Sequence, residues 1–75
     1  MENMRVCLKY IEGKNSDGDD IAGVIVSTFA DKLIIGVTEQ YGGDSEVSLD
    51  LEKAKEFLDI LNMAIKNIEK YEEKQ

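Results

Sequence analysis

From Leu51 to Ile68 the apolar residues Leu51, Ala54, Leu58, Leu61, Ile65 and Ile68 step by three and four without a break. That spacing keeps returning to one side of a 3.6-residue turn, so it predicts one long amphipathic helix, reaching about Tyr71. Phe57, Ile60, Ala64 and Tyr71 widen the apolar arc to roughly 180°. One sheet face rarely needs so wide an arc. Length points the same way: the span gives ~31 Å of helix, whereas an eight-residue strand covers ~26 Å. The surplus predicts that one helix edge meets a second copy of the chain, with Phe57, Ile60, Leu61, Ala64, Ile68 and Tyr71 at the seam. The alternative is a sheet that curls around the helix while the far end frays.

The ends of the helix are marked as well. Asp50 is the expected N-cap, accepting from exposed amides of the first turn, and Glu52 favours the same end through the helix dipole. Lys66, Lys70 and Lys74 complement the other end.

Residues ahead of the helix read as strands and turns. Arg5 to Ile11 alternates loosely, with Val6, Leu8 and Tyr10 on one face and Cys7, Lys9 and Ile11 on the other. Residues 12–20 are all polar or glycine, and Asp17-Gly18 is a hairpin signal because glycine reaches positive φ freely. Ile21 to Phe29 and Lys32 to about Gln40 are β-branched strands separated by Ala30-Asp31, and Glu46 to Leu49 forms a short edge strand after the Gly42–Ser45 turn. The expected fold is α+β: an antiparallel three- or four-stranded meander over about 4–49, followed by one long C-terminal helix over about 51–71 packed on it. All 75 residues form a single domain.

A domain this small keeps only a few kcal/mol of net stability and commonly needs a staple. Cys7 is the only cysteine and there is no histidine, which excludes an intrachain disulfide and nearly excludes a structural zinc site. Oligomerisation is the remaining route, so a homodimer is expected. Met1 to Arg5 lack the basic and then apolar run of a secretory signal, and no stretch is apolar for long enough to span a bilayer. With an unpaired cysteine these features suggest the cytoplasm. Eight lysines against one arginine, eight isoleucines and no proline fit an AT-rich bacterial or phage genome.

The net charge of −7 is concentrated ahead of the helix, where residues 1–50 hold ten acids and four bases. It disfavours direct nucleic-acid binding, which rests on Lys and Arg neutralising phosphates, and it repels anionic membranes. Catalysis has little to work with. No histidine serves as acid or base, Cys7 reads as a buried inert thiol beside Val6 and Leu8, and the four serines lack a triad partner. Gly42-Gly43 is too short to cradle phosphate. Asn15, Asp17 and Asp19 imitate half of a calcium-binding EF-hand loop, but Asp20 and Val26 stand where that loop needs glycine and glutamate. No enzyme activity, cofactor or metal is expected.

In a meander, alternate turns fall at the same end of the sheet. Glu12, Asp17, Asp19 and Asp20 of the first turn then join Glu39, Asp44 and Glu46 around the third, with Tyr41 beside them and Lys14 as the one base. Solvation alone makes turns polar; the functional reading is a surface that docks on a basic protein, quickly and in a salt-sensitive way. A non-enzymatic interaction module results, similar in kind to small acidic inhibitors carried by phages and mobile elements that occupy a basic surface of a nucleic-acid-handling protein. Two other readings stand beside it: a homodimeric structural or regulatory protein, and a small-molecule-binding domain with a pocket at the sheet–helix or dimer interface.

Overall fold

A computed structural model describes residues 4–19, 22–39 and 43–73 of the chain. Strands β1 (Arg5–Gly13), β2 (Ala22–Phe29), β3 (Lys32–Glu39) and β4 (Gly43–Leu49) precede one helix, α1 (Leu51–Glu73). All neighbouring strands pair antiparallel in the order β1-β2-β3-β4, so the chain is an α+β meander with a C-terminal helix packed on it. β4 is longer than its side chains suggest. Pairing continues to Glu39 opposite Gly43, because ladder hydrogen bonds come from the backbone and need no apolar side chain.

The register defines two faces. One carries four rows: Gly13–Ala22–Glu39–Gly43, Ile11–Val24–Val37–Ser45, Lys9–Val26–Ile35–Val47 and Val6–Thr28–Leu33–Leu49. The other carries Glu12–Gly23–Thr38–Asp44, Tyr10–Ile25–Gly36–Glu46 and Cys7–Ser27–Ile34–Ser48. A bulge between Cys7 and Lys9 corrects the simple alternation expected of β1. One extra residue reverses the face of everything after it, so Val6 lies on the same side as Ile11 rather than with Tyr10. Cys7, expected to be buried, is exposed, as is every residue of the edge strand β1.

That second face is shielded by its own long side chains. A Cβ at Gly23 would come within 2.5 Å of the Tyr10 ring, so the missing side chain makes room for the tyrosine to lie across its neighbour strand. From one edge strand, Arg5 donates to both carboxylate oxygens of Glu46 in the other, at 2.8 and 3.4 Å. Beneath these side chains lie Ser27 and Ile34, 3% and 7% exposed.

α1 starts where expected. The Lys53 amide donates to Asp50 Oδ1 at 2.9 Å and the Ala54 amide to the Asp50 carbonyl at 2.8 Å, which caps the first turn. The helix packs over the first face near β3 and β4, yet none of its residues is buried and only Ala54 and Phe57 are half-buried. Among the described residues, Ile34 is the one buried large apolar side chain. The chain exposes 6421 Å², whereas a folded monomer of 8.4 kDa exposes about 4,600 Å². Its radius of gyration is 14.7 Å, against about 11 Å for a compact chain of this length.

The β2–β3 connection is the two-residue loop Ala30-Asp31, with Phe29 opposite Lys32. Ala30 sits at φ 53°, where a Cβ costs roughly 1–2 kcal/mol. Beside it, a hydrogen bond from Lys32, reinforced by that residue's charge, holds the Asp31 carboxyl below its ordinary value. Ala30→Gly removes the strain and returns part of it as unfolded-chain entropy, so a net gain of about 0.5–1 kcal/mol is expected. Thermal melts of the two proteins at equal concentration check this; an unchanged or lower Tm contradicts it.

Candidate protein-interaction surfaces

The acidic end is built by the meander. Gly13, Ala22, Glu39 and Gly43 stand side by side in the terminal row of the sheet, so the β1–β2 and β3–β4 connections leave from the same end. Glu12, Asp17, Asp19, Glu39 and Asp44 are all exposed there. Asp20 and Tyr41 lie outside the described residues. Glu46 is placed differently: its carboxylate turns along the second face to Arg5, 2.8 Å away, rather than joining the others.

One residue that charge counting passes over organises the first loop. The Oδ1 of half-buried Asn15 accepts from the amides of Asp17 (3.0 Å) and Asp19 (2.9 Å). The Gly18 amide reaches the Asn15 carbonyl at 2.9 Å and the Asn15 amide reaches the Asp19 carbonyl at 3.0 Å. Gly18 supplies the φ of 88° that closes the turn. Asn15 Nδ2 also approaches Glu39 Oε1 at 3.4 Å, linking this loop to the end of β3. Asparagine imitating a backbone turn was the available signal, and it lies hidden in a run of polar residues.

The second surface is apolar. α1 diverges from the sheet and leaves a groove of about 540 Å³ between them. Ile11, Val24, Val26, Leu33, Ile35 and Val37 form its floor, and the helix contributes Ala54, Phe57, Leu58 and Leu61. Of the residues expected at a self-association seam, Phe57 and Leu61 line this groove, and Ile60 borders a shallower one beside Leu49. Ala64 is exposed, and Ile68 and Tyr71 remain 59% and 67% exposed farther along. The sheet residues of the floor lie on the face over which the helix packs. They are half-open because the helix touches its sheet only through its first turns.

Among the described residues no group of three or more His, Cys, Asp or Glu is placed to hold a metal ion, and no described helix is long and apolar enough to cross a membrane. Asn15→Ala leaves the strands in place but removes the one side-chain oxygen that accepts from both loop amides, a loss of about 1 kcal/mol. Amide hydrogen exchange at Asp17 and Asp19 is expected to quicken several-fold while β2 and β3 keep their protection; unchanged rates contradict this role for Asn15. Comparison of the chain with protein-family models, with curated proteins and with solved structures yields no match.

Proposed function

We propose that this chain is a non-enzymatic protein-interaction module that works as a homodimer and presents its acidic sheet ends to a basic surface of another protein. The surface excess carries the self-association half of this reading. About 1,800 Å² more than a monomer of this mass should show gives about 3,600 Å² for a pair, within the range of obligate homodimer interfaces. Leu58, Ile60, Ile65 and Ile68 of the helix are each more than half exposed, and extensive exposed apolar surface marks interaction sites. An exposed thiol at Cys7 suits a reducing compartment, and we assign the module to the cytoplasm.

The docking half is supported by the convergence of Glu12, Asp17, Asp19, Glu39 and Asp44 at one end of the sheet. A nucleic-acid-handling protein, with its basic surface, is the partner class this charge fits, and an inhibitor that blocks such a surface is the mode of action we favour. Charge of −7 on one chain is too sparse to reproduce a duplex, which carries one charge per ~1.7 Å of axis.

Sedimentation equilibrium between about 1 and 100 µM is expected to give the mass of two chains. Ile68→Glu puts a carboxylate in the seam far from the chain's own sheet, and burying it unpaired costs several kcal/mol, so it is expected to weaken the dimer by at least a hundredfold. A single-chain mass for the unaltered protein refutes self-association. For the acidic end, capture from source-cell lysate with nuclease present, at two salt concentrations, is expected to retain a basic protein at low salt. Asp17→Asn with Asp19→Asn should release it; retention unaffected by that double change removes the acidic end from the mechanism.

A further inference from the structure

Two apolar surfaces lie open on the same side of the molecule, and they differ in shape. One is concave: the groove of about 540 Å³ between α1 and the sheet. The other is convex: the distal half of α1, where Ile65, Ile68 and Tyr71 are 52%, 59% and 67% exposed. We propose that each fills the other across a two-fold pair, so that the Ile60–Tyr71 half of one helix lies in the groove of the second copy, against Val24, Val26 and Ile35. This rests on the self-association proposed above and specifies which surfaces meet.

Length supports the match. The last groove-lining residue of the helix is Leu61, and the twelve residues from Asn62 to Glu73 extend ~18 Å beyond it. The groove floor runs from Leu33 to Val37 along β3, ~13 Å of strand. The free half-helix is therefore long enough to cover the floor. Its 180° arc is also explained, since a helix held between its own sheet and a second copy needs apolar side chains toward both.

Charge selects the occupant. The three sheet rows that floor the groove contain Lys9 and no carboxylate, and Glu39 stands on the same face only in the terminal row. From Ala54 to Ile68 the helix arc carries Ala54, Phe57, Leu58, Ile60, Leu61, Ala64, Ile65 and Ile68, and Glu69 and Glu72 join it only beyond that stretch. Two chains of −7 can thus close the Ala54–Ile68 stretch over these rows without bringing acids together. A basic protein would gain nothing here, since the carboxylates it needs stand at the end of the sheet. A small apolar ligand could fill the groove but would leave the convex half-helix in water. A second copy supplies both complements, and an isologous contact of this kind closes at two chains. Its reciprocity also provides the core that one chain lacks.

The test uses the unaltered protein. Equal amounts of ¹³C-labelled and unlabelled chain are denatured, refolded together, and examined by sedimentation and by isotope-filtered NOE spectroscopy. A two-chain particle with intermolecular cross-peaks from the methyls of Val24, Val26 and Ile35 to those of Ile65 and Ile68 is the expected result. A two-chain particle whose intermolecular cross-peaks join helix only to helix, or sheet only to sheet, overturns this pairing and leaves self-association standing. A four-chain particle overturns the closed pair. A single-chain particle overturns both this inference and the self-association beneath it, and a Tm rise of that particle with an apolar ligand would give the groove to a small molecule instead.

Discussion

Burial of apolar surface is the interaction in shortest supply in this fold, and the other features arrange themselves around it. The strands are held by an antiparallel ladder interrupted by one bulge, which satisfies backbone groups but contributes little net stability on its own. Stability must then come from side chains removed from water, at about 25 cal/mol per Å² of apolar surface. Here the sheet offers a broad apolar face and the helix a broad apolar arc, yet they meet only around Ala54 and Phe57. With one cysteine no intrachain disulfide offsets the shortfall, and among the described residues no group of three or more His, Cys, Asp or Glu is placed to hold a metal ion. The self-association proposed above would supply the missing burial.

The segregation of charge makes that solution compatible with a strongly acidic chain. Strand alternation sends side chains to opposite faces, and the meander collects two turns at one end. Carboxylates consequently gather at the end of the sheet or, like Glu46, cross the far face to Arg5. The helix-bearing face stays clear of them in its three central rows. The apolar groove and the acidic end of the sheet are thus built from different residues.

Much of the fold was legible because it is written in local patterns. The 3–4 spacing from Leu51 onward specified the helix, Asp50 its cap, and Asp17-Gly18 a turn that does contain a positive φ. Features that failed to show were those with no side-chain signature. β4 extends back to Gly43 through backbone pairing alone, and the bulge at Cys7–Lys9 leaves no mark in the alternation of Val6, Leu8 and Tyr10. The spacing of Asn15, Asp17 and Asp19 imitates a calcium loop, whereas the Asn15 side chain accepts from the other two residues' amides. The acidic end was legible from strand parity, except that Glu46 found a long-range cation forty-one residues away in sequence.

Taken alone, the sequence determined the element types, their order, the meander's turn ends and the amphipathic arc, because periodicity, turn chemistry and charge act over a few neighbouring residues. Tertiary structure decided which face each strand residue joins after the bulge, which carboxylates remain at the open end, and how far the helix leans on its sheet. Those outcomes depend on distances between segments far apart in the chain. The most consequential is how little of α1 meets the sheet, for it leaves an apolar groove open between them.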